Sequence, residues 1–406
     1  MCGIFAYLGA SNATKIVFNG LQDLQYRGYD SWGIASLTDH SLSVSKNIGA
    51  LPNELSNYVT SHLAIGHTRW ATHGGVTKNN AHPHLSCDGR FAVVHNGIIE
   101  NFESLKNNLK NKHNFKSNTD TELIAHYLEE NIKGNDPFSV FQSLVSQLIG
   151  HSAIVVLDLV QSDLYIYRSG SPLVLGKNGD ELYVSSDLPS LTKYAQDIYP
   201  IKDGEIIKLS ALPTTLSWTK VAANHNIVGK IKTKYHMETE IGESLSIVSN
   251  TFHFNPSKLK LISESIYSSK QILLVGCGSS YHACLYGMTL LQQLGFSAQA
   301  VIASEGESVQ HTVGSDTLVI ALSQSGETID TLDFVNTLRG RGAKIISLSN
   351  VQYSTLDRLA DLSLDLSCGK EVAVASTKAY IAMLLFFVEL SLHMSSKADL
   401  DRPKYQ

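Results

Sequence analysis

A cysteine at position 2 puts a thiol one residue from the initiator methionine. Removal of Met1 would leave that thiol and a primary α-amine on the same residue, so the nucleophile would carry its own base. An α-amine titrates at about 7.7 to 8.0, close enough to neutrality to take the thiol proton directly or through one water. Arg69 and Asp120 offer opposite charges of the kind that hold the α-carboxylate and α-ammonium of a free amino acid. Attack on a carboxamide builds an oxyanion, and Asn96-Gly97 combines a side-chain amide with an adjacent backbone N–H that could stabilise it. Taken locally, Arg69 could equally be a surface ion pair and Asn96-Gly97 a type I′ hairpin turn. Five histidines, His67, His73, His82, His84 and His95, have no cysteine or carboxylate at metal spacing, so we expect structural histidines and no metal.

A second set of residues suits an anion. Gly276-Cys277-Gly278-Ser279-Ser280 follows an apolar run and precedes a helical one, and Ser323-Gln324-Ser325-Gly326-Glu327-Thr328 repeats that setting. Small hydroxyl residues at helix starts present N–H and O–H donors to a phosphate without a lysine. The glycine spacing fits neither G-x-G-x-x-G nor a Walker A loop, which disfavours dinucleotides and ATP. Helix capping by Ser and Thr is the local alternative.

The elements that must position these residues fall into two blocks. Up to about residue 225, short β-type runs (FAVVHNGII, SAIVVLDLV, DLYIYRSG, PLVLGKNGD, ELYVSSD) lie close together, with helical stretches at Asp120–Asn131 and Asp136–Leu148; the pattern predicts an α+β domain with antiparallel pairing. From about 257 to 400, KQILLVG, AQAVIAS, TLVIALS and AKIISLSN alternate with helices near Ser279–Leu294 and Thr328–Arg339, predicting a doubly wound parallel α/β sheet. Residues 226–256 read as a polar linker with one helix around Met237–Val248. The apolar helix Thr377–Met394 is either packed core or an interface, the latter if Phe386, Phe387 and Leu390 are exposed.

The chain has 406 residues, 43% hydrophobic and 17% charged, with a formal net charge of −5, which excludes disordered and collagen-like classes. No basic footprint supports binding to nucleic acid or an anionic membrane. Five scattered cysteines argue against a disulfide framework. The N-terminus lacks a basic region before its apolar stretch, and the longest apolar run, Ala379–Val388, is short for a bilayer. A cytoplasmic protein is expected.

Cys2-Gly3-Ile4, Tyr26-Arg27-Gly28-Tyr29-Asp30-Ser31, His67-Thr68-Arg69-Trp70-Ala71-Thr72-His73-Gly74, His95-Asn96-Gly97 and Thr119-Asp120-Thr121-Glu122 together resemble the class II glutamine amidotransferase domain. The full chain to about residue 395 resembles the glucosamine-6-phosphate synthase family, and the two hydroxyl loops with Glu371-Val372-Ala373-Val374-Ala375-Ser376-Thr377-Lys378 resemble its sugar isomerase (SIS) domain. The resemblance implies an N-terminal-nucleophile αββα sandwich (2–225) followed by a SIS domain (257–400), and no cofactor. It implies Cys2, Asn96 and Gly97 as catalytic; Arg69, Thr72, His73, Asp120 and Arg27 around L-glutamine; and Trp70 gating an ammonia passage. It further implies Ser323, Gln324, Ser325 and Thr328 on the phosphate, and Cys277, Ser279, Ser280, Val374 and Ser376 around fructose 6-phosphate or glucosamine 6-phosphate. Two departures stand out. Trp32 replaces a small residue near the glutamine loop, where its ring would be expected to alter packing, and Ser279 replaces Thr.

Family synthases continue into a second SIS copy that supplies the isomerase groups. The expectation is that this chain lacks that copy, so the sequence points to glutamine hydrolysis with ammonia delivered to fructose 6-phosphate, given the missing half. A homo-oligomer, or a separate chain carrying the second SIS domain, follows as a partner. The alternative is a non-catalytic or glutaminase-only subunit that senses sugar phosphate. A purine-pathway or asparagine-type amidotransferase is disfavoured by the Ser323 loop.

Overall fold

The computed structural model describes residues 2–55, 58–71, 74–109, 113–220, 233, 235–251 and 254–401. The chain divides into two compact units, residues 1–224 and 225–406.

Two antiparallel sheets face each other in the first unit. The larger runs, in spatial order, Thr219–Lys220, Asp197–Pro200, Val174–Asn178, Glu181–Ser185, Gly3–Leu8, Leu63–Arg69, Ser31–Leu37 and Leu42–Ile48. The smaller runs Ile206–Lys208, Asp163–Ser169, Ser152–Asp158, Phe91–Gly97 and His84–Leu85. Side chains alternate faces along a strand, and the core divides accordingly. Ile4, Ala6, Leu63 and Ile65 of one sheet meet Ala92, Val94, Val155 and Leu157 of the other in the inner layer. Phe5, Tyr7 and Ala64 instead face the helix Ala13–Leu24. Phe91, Val93, Ile154 and Val156 face the helices Glu122–Asn131 and Pro137–Val145. The result is the helix–sheet–sheet–helix sandwich that the resemblance implied. Trp32 is buried in the helix-facing layer with Phe5 and Leu51, so its ring is absorbed by the core.

In the second unit every strand pairing is parallel, in the order Ala298–Ile302, Gln271–Gly276, Thr317–Ser323, Lys344–Ser349 and Leu362–Asp365. Both faces are covered, as an all-parallel sheet requires. Leu274, Ile320 and Ile346 pack toward the last helix, while Leu273, Val319 and Ile345 pack toward the helix Ile329–Gly340.

One sequence expectation changes here, and one alternative left open is decided. The helix placed inside a linker is His236–Thr251, and it is built into the second unit through buried Ile247, Glu240 and Glu243. The apolar C-terminal helix spans Lys378–Asp401 and is core rather than interface: Phe386, Phe387 and Leu390 are at most 1% exposed. Its first 18 residues have a mean hydropathy of 1.3 and are long and apolar enough to cross a membrane by that measure alone. The stripe Ala379, Ala382, Met383, Phe386, Phe387, Leu390 and Met394, at helical spacing, is nonetheless packed in the hydrophobic core. Phe387 lies against Gly287 so closely that a Cβ there would sit 2.4 Å from the ring.

Phe386 meets Phe254 edge-on at 5.6 Å within this core. Truncation to alanine should destabilise the second unit by about 3 to 5 kcal/mol. Urea unfolding of Phe386→Ala checks this; a shift below about 1 kcal/mol would mean the helix is not core.

Candidate active site

Cys2 immediately precedes the strand Gly3–Leu8, and alternation puts it on the same face as Ile4 and Ala6, between the sheets. The same rule places His67 and Arg69 in line with Leu63 and Ile65, and Asn96 in line with Ala92 and Val94. Separate strands therefore aim Cys2, His67, Arg69 and Asn96 into one inter-sheet space.

Contacts around Cys2 are direct. The Trp70 N–H donates to Cys2 Sγ at 3.4 Å, and the thiol reaches the Trp70 carbonyl at 3.6 Å. Arg27 Nε and Asn96 Nδ2 both donate to the Cys2 carbonyl, at 3.1 and 3.2 Å. Asn96 is oriented in turn by His67, whose Nε2 lies 3.0 Å from Asn96 Oδ1 and 3.1 Å from the His95 carbonyl. Two oxygen acceptors on one ring nitrogen require the N–H there. Burial holds the His67 pKa down at about 3, so the ring is neutral at working pH. Burial also pushes the Cys2 thiol up, against the Trp70 N–H and the charges of Arg69 and Arg27. That burial favours the thiol over the thiolate at Cys2.

The motif around Arg27 earns its glycine by close approach. A Cβ at Gly28 would lie 2.6 Å from the Arg69 carbonyl carbon. Asp30 completes the junction, accepting from the Ala71 N–H at 2.8 Å while its own N–H donates to the Arg69 carbonyl at 3.0 Å.

Arg69 is buried, 4% exposed, and points its guanidinium to the Gly75 and Gly74 carbonyls at 3.3 and 3.5 Å, which rules out a surface ion pair. Its charge interacts with those of Asp30 and Asp120. Asp120 accepts the Ile99 N–H at 2.7 Å and sits two residues before the helix Glu122–Asn131. Asn96-Gly97 is not a hairpin turn: the two residues end a strand and pair with Ala153 and Ser152. Gly97 has φ of 150°, and a Cβ would fall 1.9 Å from the His151 carbonyl, so only glycine fits. Thr72 and His73 lie outside the described residues.

Sequence reasoning left His67, His82, His84 and His95 as structural, and each is engaged. His82 Nε2 meets Thr121 Oγ1 at 2.8 Å, His84 Nε2 meets Thr119 Oγ1 at 2.9 Å, and His95 bridges Thr121 and Ser152, both at 3.1 Å. What the sequence missed is that His67 positions Asn96; its place two residues before Arg69 on a strand was the available signal.

In the second unit the strand order reverses between Gln271–Gly276 and Thr317–Ser323, and ligands of such sheets bind beyond the carboxyl ends at that switch point. The two hydroxyl loops leave the sheet there. Gly278, at φ of 56°, opens the helix Ser279–Gln293 without a side-chain cap, and Thr328 makes no side-chain cap on the helix Ile329–Gly340. Thr328 Oγ1 instead pairs with Ser323 Oγ at 3.0 Å, and Ser323 accepts the Gly326 N–H at 3.0 Å. The capping alternative thus fails for both helices. Thr331 Oγ1 donates to Cys277 Sγ at 3.7 Å, joining the loops, and the Asn350 N–H donates to the Gln324 carbonyl. Ser280 is buried; Ser325 holds the Glu327 N–H. Val374 is 71% exposed, and Ser376 donates to Glu371 at 3.1 Å, on a stretch tied through the Val372 and Ala373 N–H groups to Glu240. Glu240 and Glu243, which pairs with Lys378 at 2.8 Å, were not foreseen as anchors of that stretch.

Fold and site together define a glutamine amidotransferase domain followed by a SIS domain. Residues 49–233 match the glutamine amidotransferase domain family and 265–393 the SIS domain family. The chain is 35% identical over 97% of its length to glutamine–fructose-6-phosphate aminotransferase (isomerizing) of Thermococcus kodakarensis, covering 69% of that protein. The same enzyme of Sulfolobus acidocaldarius is 37% identical over 95% of this chain, and that of Helicobacter pylori 36% over 98%, each covered to 69%. The chain belongs to the glutamine–fructose-6-phosphate aminotransferase (isomerizing) family.

The buried histidines make the first unit acid-sensitive. An unfolded histidine binds a proton below about 6.5, whereas native His67 resists to about 3. Stability is therefore complete above 6.5 and falls as pH drops toward 3; at pH 5 His67 alone removes about 2 kcal/mol. His82, His84 and His95 are shifted in the same direction. The urea midpoint should drop between pH 7 and pH 5, and a constant midpoint would contradict burial of these neutral rings.

Proposed function

We propose that this chain hydrolyses L-glutamine to glutamate and ammonia at Cys2 and directs the ammonia to fructose 6-phosphate bound at the Ser323 loop. The observation that carries the reading is the convergence of Trp70, Arg27 and Asn96 on Cys2.

Removal of Met1 turns the Cys2 nitrogen into a primary amine beside Sγ. That amine takes the thiol proton as sulfur attacks the glutamine side-chain carbonyl. Asn96 has two Nδ2 hydrogens; one serves the Cys2 carbonyl, and we assign the other, with the Gly97 N–H, to the developing oxyanion. Collapse passes the proton to the departing nitrogen and leaves a γ-glutamyl thioester and ammonia. Water, deprotonated by the same amine, then releases glutamate and the thiol. Arg69 and Asp120 take the α-carboxylate and α-ammonium, with Thr72 and His73 lining the remaining pocket. Trp70 is assigned to the ammonia exit; its main chain touches Sγ while its ring meets Tyr29 edge-on at 5.2 Å.

In the SIS unit Ser323, Gln324, Ser325 and Thr328 hold the phosphate and Cys277, Ser279 and Ser280 border the sugar, with Val374 and Ser376 closing it. Two helix starts without side-chain caps support this assignment, since they give an acidic chain its local anion site.

Cys2→Ala should release no glutamate, and Asn96→Ala should lower kcat about 10²- to 10³-fold. Glutamate release by Cys2→Ala at the original rate would defeat the assignment. Separately, Ser323→Ala should weaken fructose 6-phosphate binding about 10- to 100-fold by calorimetry while leaving sugar-free glutaminase turnover unchanged. Unaltered sugar affinity would remove the phosphate from that loop. Glutamate without glucosamine 6-phosphate would mark the glutaminase-only alternative.

A further inference from the structure

Away from the Cys2 pocket, a turn, a loop and a helix of the first unit bring four metal-type donors together. Cys87 lies in the turn between the strands His84–Leu85 and Phe91–Gly97, and His126 and Glu129 are one turn apart on the helix Glu122–Asn131. With His113, their ligand atoms all lie within 4.8 Å of one another. Cys87 Sγ is 3.6 Å from His126 Nδ1 and 4.0 Å from His113 Nδ1. Glu129 Oε2 is 3.4 Å from His126 Nδ1 and 3.3 Å from His113 Nδ1. Zinc bonds of about 2.0 to 2.3 Å at the tetrahedral angle give ligand–ligand edges of about 3.3 to 3.6 Å. Three of the four separations fall there, and the fourth is slightly longer.

The surroundings orient the donors. His113 Nε2 meets Glu130 Oε2 at 3.1 Å, and His126 Nε2 lies 3.5 Å from Glu122 Oε1, so each imidazole turns its outer nitrogen to a carboxylate and its inner nitrogen to the cluster. This carboxylate–histidine arrangement is what fixes metal-binding imidazoles. Glu129 is itself held by the Cys87 and Asp88 N–H groups at 2.9 and 3.1 Å. Both imidazole side chains are more than nine-tenths buried. His113 Nε2 is in hydrogen-bond contact with Glu130, whereas His126 Nε2 makes no hydrogen bond among the described residues and its Nδ1 faces Glu129 Oε2.

We propose that Cys87, His113, His126 and Glu129 bind one Zn²⁺. Thiolate, two imidazoles and a carboxylate fill a tetrahedron, so the site is structural and leaves no open position. Binding expels the Cys87 proton, and the two anionic ligands balance the ion's charge. The ion would staple the helix that follows Asp120 to the turn preceding Asn96. The sequence expectation of no metal weighed other histidines; Cys87, His113 and His126 are too far apart in the chain to show as a motif.

Full-length protein dialysed against Zn²⁺ and then against metal-free buffer should retain one zinc per chain by mass spectrometry, and Cys2→Ala should retain it equally. Cys87→Ser with His113→Gln should retain none, and Glu130→Gln should weaken affinity about 10- to 100-fold. Co²⁺ in place of Zn²⁺ should give the intense bands of a tetrahedral thiolate complex, with the thiolate charge-transfer band lost in Cys87→Ser, whose exposed position tolerates the change. No retained zinc in the wild type, or one zinc still held by the double variant, would overturn the proposal.

Discussion

The first unit depends on how the main chain of Cys2 is held. A residue at the head of a strand has no flanking ladder on its open side, and a nucleophile needs its sulfur fixed to within a fraction of an ångström. Here the Cys2 carbonyl takes two hydrogen bonds from distant segments, Arg27 and Asn96, and the sulfur takes a third from Trp70. One of those donors is charged and buried, which strengthens its bond. His67 then fixes the amide of Asn96 from behind.

The second unit meets a different constraint, the handling of an anion by a chain of net charge −5. On the reading proposed above, helix starts and hydroxyls rather than lysines take that role. The buried Lys378 pairs with Glu243 at 2.8 Å and locks the last helix. Ser323 and Thr328 share a hydrogen bond of 3.0 Å within their loop.

Much of this was legible in sequence, for identifiable reasons. The strands Phe91–Gly97, Ser152–Asp158, Asp163–Ser169 and Thr317–Ser323 are dense in β-branched and aromatic residues, so the smaller sheet of the first unit and the parallel sheet of the second announced themselves. Period-two alternation puts Cys2, His67, Arg69 and Asn96 on facing surfaces once the strands are known. The helix His236–Thr251 misled because its polar residues, Glu240 and Glu243, bind backbone and lysine inside the fold rather than facing water. The apolar helix Lys378–Asp401 left core and interface open, since periodicity reveals a buried stripe but not what covers it. The Cys87 cluster was invisible because its spacing is set by the sheet-to-helix crossing and not by the chain.

The most direct test of a nucleophile built from an unblocked first residue is covalent. Incubation with a diazoketone analogue of glutamine, followed by intact-mass and peptide mapping, should give one adduct per chain, on Cys2, only in molecules that have lost Met1, and suppressed by excess glutamine. Equal labelling of molecules that keep Met1, or an adduct on Cys87 or Cys277 with Cys2 untouched, would contradict it.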